Sequence, residues 1–214
     1  MESLVEVIIG WIAAILTIIF GLPQLYKVWK YKLSKINLLS FYILYVAIMM
    51  WSLFGALFPE KKLSVLIANI ISFLILQVTI ILILKNQKVR NKFINFVIGS
   101  VLLSIIVISF DFVAFAKKIN APQWLNLTLS IIAVSGTSFA FLPQTIKGIM
   151  KWKVEGISLL MLIFGFLINL SWEIFWILVG NYSPSIIYIL IVQIIAMILY
   201  LIQMVIILSK KIKR

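Results

Sequence analysis

The sequence predicts an all-α integral membrane protein: seven transmembrane helices, arranged as two parallel three-helix bundles joined by a linker helix. Apolar content, the alternation of basic clusters and an internal repeat together predict it. Hydrophobic residues fill 64% of the 214 positions and charged residues 12%, with a mean hydropathy of +1.20. A soluble chain of this length lacks the interior to bury so much apolar side chain, so lipid must serve as its solvent. The formal charge of +13 would suit a nucleic-acid partner. The basic residues, however, sit in short clusters between apolar runs, where topology signals are placed. No nucleic-acid partner is expected; the bilayer is.

Seven apolar stretches approach the ~20 residues needed to cross a bilayer. The first, Leu4–Tyr26, follows Met1, Glu2 and Ser3 without a basic leader or small-residue cleavage site, so a retained helix is expected rather than a signal peptide. The others are Leu38–Phe58, Leu63–Leu84, Phe93–Phe115, Trp124–Ile146, Ile157–Val179 and Pro184–Leu208. Lys27, Lys30, Lys32 and Lys35 follow the first span, and Lys85, Lys88, Arg90 and Lys92 the third. Lys147, Lys151 and Lys153 follow the fifth; Lys210, Lys211, Lys213 and Arg214 follow the seventh. Fifteen positive charges thus fall on one face against four, Lys61, Lys62, Lys117 and Lys118, on the other. The positive-inside rule then predicts a multi-pass protein of the cell (plasma or inner) membrane, N-terminus outside and C-terminus cytosolic.

The repeat organises the spans. Leu22-Pro23-Gln24 matches Leu142-Pro143-Gln144 at an offset of 120. After one extra residue in the second copy, Lys30-Tyr31-Lys32 matches Lys151-Trp152-Lys153 at 121, Ile36-Asn37-Leu38-Leu39 matches Ile157-Ser158-Leu159-Leu160, and Trp51 and Phe54 match Trp172 and Phe175. Each unit holds three spans and so ends on the side opposite its start. Two units in one orientation therefore need a single extra crossing between them. The expected organisation is residues 1–92 for the first unit, 93–120 for the linker and 121–214 for the second.

The two Leu-Pro-Gln segments, Trp51-Ser52-Leu53-Phe54-Gly55 and Ala68-Asn69 resemble the PQ-loop superfamily, and within it the SWEET and SemiSWEET sugar transporters. That resemblance implies that a Trp on the second helix and an Asn on the third line a sugar pocket, and that the proline lets the first helix bend. Two features depart from the pattern. The second repeat reads Trp172-Glu173-Ile174-Phe175-Trp176, with Trp176 in place of the glycine, and its third helix offers Gln193 where the family shows Asn.

Depth supports these candidates independently. At about 1.5 Å per residue, Trp51, Trp172, Asn69 and Gln193 all fall roughly 4–7 Å outward of their span centres, at one level. That is too deep for the interfacial aromatic belt, though helix packing would also place a Trp there. The two amides need a bundle interior, a helix partner or water. A Trp face with an amide edge suits a sugar, whose C–H groups lie on the ring while its hydroxyls meet the amide. Pro23 and Pro143 each remove an amide donor, freeing the carbonyl of Ile19 or Phe139; with Gln24 and Gln144 they are the expected hinges and gate. Glu173, an intramembrane acid, is a candidate proton or ligand site that Asn169, one turn earlier, could hold. Pairing with Lys61 or Lys62, or protonated packing, would also account for it. Asp111 is expected as a solvated or snorkelling end charge.

With no cysteine and no histidine, no thiolate metal site, Cys nucleophile or His relay is available, and no cofactor or metal is expected. The chain offers a pocket and two hinges but no catalytic constellation, so a transporter is predicted rather than an enzyme. Its small-molecule substrate, a neutral mono- or disaccharide bound among Trp51, Asn69, Asn169, Trp172, Trp176 and Gln193, would cross by alternating access as passive, bidirectional uniport. Two alternatives share the fold: a proton-coupled amino-acid transporter using Glu173, and a non-transporting sorting receptor. Self-association into a homo-oligomer is left open.

Overall fold

The computed structural model describes residues 3–34, 38–140, 146, 150 and 159–212. Seven helices fall among them: α1 (Leu4–Tyr31), α2 (Leu38–Leu57), α3 (Leu63–Asn86), α4 (Arg90–Ala116), α5 (Gln123–Phe139), α6 (Leu159–Val179) and α7 (Pro184–Ile212). Six are long and apolar enough to cross a membrane, and α5 is described over 17 residues. The Ser3 hydroxyl caps α1 by accepting from the Glu6 amide at 3.1 Å, satisfying one of the donors every helix start leaves open. The helix then runs through Pro23 to Tyr31, five residues past the apolar span. Hydropathy marks where lipid ends, whereas backbone hydrogen bonding continues under the snorkelling Lys27 and Lys30. The chain turns at Lys32, in left-handed backbone at φ 45°. Pro184 opens α7 in the first turn, where a missing amide hydrogen breaks no bond.

The packing closes a ring. Helix α1 touches α3 and α6, α2 touches α3 and α5, and α7 touches α5 and α6. Six helices therefore follow one another as α1–α3–α2–α5–α7–α6 and back to α1. Exchanging α1 with α5, α2 with α6 and α3 with α7 maps this pattern onto itself, which parallel repeats about an axis along the membrane normal require. We call the end where α1, α3 and α7 finish the basic end, and its opposite the far end. Gly136 seats the α5–α2 interface: a Cβ there would lie 2.5 Å from the Ala47 Cβ. Gly136→Leu is expected to destabilise the fold by about 1–3 kcal/mol through overpacking, read as a lowered unfolding temperature in detergent. Gly99, with nothing within 4 Å of such a Cβ, is the matched control: Gly99→Ala should leave stability equal or slightly raised.

Helix α4 stays outside the ring against α2 and α3. Ser100, Ser104, Val107, Asp111 and Ala114 form its buried face at helical spacing, while Leu102, Ile105, Ile106 and Phe112 face outward. Gln77 of α3 donates to the Ser100 hydroxyl at 3.1 Å and accepts from Ser104 at 2.7 Å. Interhelical bonds of this kind, about 0.6–1.7 kcal/mol each in hydrocarbon, fix the rotation of α4. Asp111 is thereby corrected: it is no solvated end charge but 0% exposed. Sequence position gave its depth, whereas the polar stripe Ser100–Ser104 sets which way it faces.

Candidate functional site

A cavity of about 620 Å³ lies at the centre of the ring, within the ~300–1,000 Å³ of small-molecule sites. All six ring helices contribute to its lining, and no charged residue does among those described. Trp51, Asn69, Asn169, Trp172, Trp176 and Gln193 all line it, as does Gln24. Pro23 lies on the exposed side of α1, and Glu173 is absent from the lining. Pro143 and Gln144 lie outside the described residues.

Two hydrogen bonds cross between the halves at the level of the tryptophans. The Trp172 indole donates to the Thr17 hydroxyl at 2.9 Å, and the Trp51 indole donates to Thr137 at 3.3 Å. Thr17 and Thr137 are repeat equivalents at the offset of 120. Each passes its own hydrogen back one turn, to Ala13 O at 2.8 Å and Ala133 O at 2.9 Å. The bonds span the α1–α6 and α2–α5 contacts, where the halves meet. They consume both indole N–H groups, so each ring offers the cavity its apolar face rather than its donor. Sequence reasoning missed the threonines, because a membrane threonine satisfied by its own helix carries no signal; their shared position six residues before each Pro-Gln was the signal available.

The amides supply the polar side. Asn69 and Asn169 each donate one hydrogen to their own helix, at Val65 O (2.7 Å) and Gly165 O (2.8 Å). The carbonyl oxygen and the second N–H of each remain for a ligand. The Gln193 Oε1 is buried and accepts no hydrogen bond. The repeat offset corrects the expectation of a single level. At 121, Asn69 corresponds to Leu190 and Gln193 to Ser72, so Gln193 sits one turn, about 4.5 Å, nearer the basic end.

The far end is sealed. Trp176, 1% exposed, packs on Phe54 and Phe58 of the other half at ring-centroid distances of 5.9 Å, on Phe175 at 4.9 Å, and stacks on Trp172 at 6.5 Å and 27°. Its counterpart is Gly55, where a Cβ would lie 3.2 Å from the Leu66 backbone nitrogen; α2 and α3 are too close there for a large ring. Asn181 donates to Glu60 at 2.6 Å, and these two are themselves repeat equivalents, so they meet on the pseudo-axis. Lys62 pairs with Glu6 at 2.5 Å, and Lys61 donates to the carbonyls of Ala56 and of Ile119, the latter at 2.6 Å. Burial holds the Lys61 ammonium below the ordinary lysine value. In the other direction the lining continues to Gln24, Thr79 and Gln203, about 15 Å past Asn69 along α3. Tyr200, a third residue not foreseen, crosses there over Gly165, whose Cβ would lie 2.8 Å from the Tyr200 ring.

Glu173 departs from its expected partners. Asn169 spends its amide on Gly165 O rather than on the carboxyl, and Lys61 and Lys62 are engaged elsewhere. It is 7% exposed, with Oε2 buried and free of hydrogen bonds.

Ring and cavity define a duplicated 3+1+3 membrane protein with an uncharged central site. A family model described as the PQ loop repeat matches residues 125–185. No characterised protein matches the chain by sequence. Among solved structures, a eukaryotic SWEET transporter determined at 3.7 Å superposes with a TM-score of 0.60 at 18% identity, over 92% of this chain and 97% of that one. The chain carries a segment that matches the PQ loop repeat and has the fold of that SWEET transporter.

Proposed function

We propose that this protein is a transporter that carries a small neutral sugar, a mono- or disaccharide, by alternating access as a passive, bidirectional uniporter. The observation that supports it is the uncharged cavity in which two indole faces, pinned by cross-repeat bonds, stand beside the amides of Asn69, Asn169 and Gln193. Rings of this kind take the C–H face of a sugar, and neutral amides exchange hydrogen bonds with its hydroxyls. In this reading the units 1–92 and 121–214 rock against each other about Pro23 and Pro143, with Gln24 and Gln144 at the gate. The linker, 93–120, moves with the first unit, on which α4 packs. Positive-inside topology in the cell membrane puts the basic end in the cytosol, so the sealed far end faces outside.

Counterflow in proteoliposomes, run with labelled mono- and disaccharides and with amino acids, tests the proposal. Exchange of at least one neutral sugar above protein-free vesicles is the expected result; exchange of amino acids only, or of nothing, would sink it. The buried Glu173 favours one other reading, a proton-coupled amino-acid transporter. Glu173→Gln separates them: sugar counterflow should persist in this variant, whereas proton-coupled uptake should collapse.

A further inference from the structure

Two buried carboxyls without an ion-pair partner, Asp111 and Glu173, lie outside the cavity lining, and the proposed binding site uses neither. At the offset of 121, Ser52 is the equivalent of Glu173, and each directly follows a cavity tryptophan. In the second half the position carries the carboxyl itself. In the first half it carries Ser52, and the carboxyl of Asp111 lies against that hydroxyl from α4. The linker thus supplies to the first repeat the group that the second repeat holds on its own helix. A carboxyl stands behind each tryptophan.

Both are buried and unpaired. Asp111 is 0% exposed, and neither of its oxygens accepts a hydrogen bond. The single Ser52 hydroxyl hydrogen goes to Met49 O at 2.9 Å, so Ser52 offers Asp111 only a lone pair, which a protonated carboxyl alone can use. Helices α2 and α3, which pack on α4, carry no charged residue along Leu38–Leu57 or Leu63–Leu84; in the loop between them, Glu60 is bonded to Asn181 and Lys62 to Glu6. Their tyrosines, Tyr42 and Tyr45, lie two turns or more toward the basic end, where Arg90 and Lys92 of α4 also sit. Lys61 is committed to the Ala56 and Ile119 carbonyls. Around Glu173, α1 contributes only Glu6, which is tied to Lys62. Helix α7 contributes Tyr188, bonded to Ser135 of α5 at 2.9 Å, and Tyr200, with no charge before Lys210. An ionised carboxylate buried this way, without cation or donor, costs more than taking up a proton.

We propose that Asp111 and Glu173 are proton-binding sites, one behind each cavity tryptophan, and that both are loaded while the far end is closed. Asp111 and Glu173 lie five and six residues from the far ends of α4 and α6 and outside the cavity lining, so opening of the far end admits water to them from that side, and protons leave and return there. The sites therefore make the closed–open equilibrium pH-sensitive without carrying protons across, in keeping with uniport. The sign follows from deprotonation: alkaline outer pH favours the open far end, and acid favours the closed state.

Loading is testable without any substrate. Infrared spectra of the purified protein in nanodiscs at neutral pH should show the carbonyl stretch of protonated carboxyls. Part of that band should vanish in Asp111→Asn and the rest in Glu173→Gln. No such band in the unsubstituted protein would overturn the proposal. The conformational consequence rests on the alternating-access reading and needs its own measurement. The chain has no cysteine, so Ser72→Cys, which places a thiol in the cavity wall, can be labelled from outside with an impermeant maleimide. Labelling should rise severalfold more with outer pH than in the same variant carrying Asp111→Asn and Glu173→Gln; the pH dependence of the thiol is common to both and cancels. Equal pH dependence in the two would overturn the coupling. The infrared band would stand even if the chain transported nothing, so the two readings fail separately.

Discussion

Trp172→Ala is expected to weaken binding of the transported sugar by about 10- to 100-fold, the equivalent of the 1.5–3 kcal/mol that a fully buried large side chain contributes. Trp51→Ala should match it, because the two rings occupy equivalent places. Substitution by phenylalanine separates face from anchor. Trp172→Phe keeps an aromatic face and loses the 2.9 Å bond to Thr17, so a smaller loss is expected, near the ~0.5–1.5 kcal/mol of one net hydrogen bond. Thr17→Val should cost the same amount, and the double variant Trp172→Phe with Thr17→Val no more than either alone, since both remove one shared bond. Equilibrium binding of the sugar identified by counterflow measures all five. Unchanged affinity in Trp172→Ala would show that the ligand sits elsewhere.

The second large effect concerns the seal. Trp176→Gly installs in the second repeat the residue the first repeat has at Gly55, and deletes the ring that joins Phe54 and Phe58 to Trp172. Loss of a buried Trp removes about 3 kcal/mol or more of packing, enough to move a two-state equilibrium by roughly 100-fold. Cavity exposure to the far side should rise accordingly. In the Ser72→Cys background, outside labelling should increase at least severalfold and labelling from the basic side should fall. No change in either would mean that the aromatic cluster is not the barrier.

The sequence carried the architecture further than the site. Span number and alternation were legible because hydropathy and lysine placement are one-dimensional quantities, and the offset of 121 correctly paired Trp51 with Trp172. What it could not carry was rotation about each helix axis. Asp111 shows this: its distance from the end of α4 was right, but the Ser100–Ser104 bonds to Gln77 turn it inward. Glu173 shows the converse, where the lysines nearest in a linear reading are taken by Glu6 and by backbone carbonyls. Gln193 was aligned with Asn69 by chemical type, although the constant offset already assigned it to Ser72. The threonines that hold the indoles carry no signal beyond their shared position six residues before each Pro-Gln; the partner across the interface gives them their role.

That exchange of partners bears on how such a chain arises. A lone three-helix unit would present an indole N–H without an acceptor and a threonine without a donor, each the complement of the other. Such a surface is self-complementary in the sense a closed two-fold pair requires, so one unit would be expected to form a homodimer and complete both bonds at once. Joining two units through α4 fixes the pairing within one polypeptide and releases the halves from identity. Gly55 and Trp176, Ser72 and Gln193, Thr79 and Tyr200 are pairs that strict symmetry would have kept alike. Fusion thus lets a symmetric frame enclose an asymmetric chamber, which a chiral, unsymmetrical cargo can occupy in one orientation.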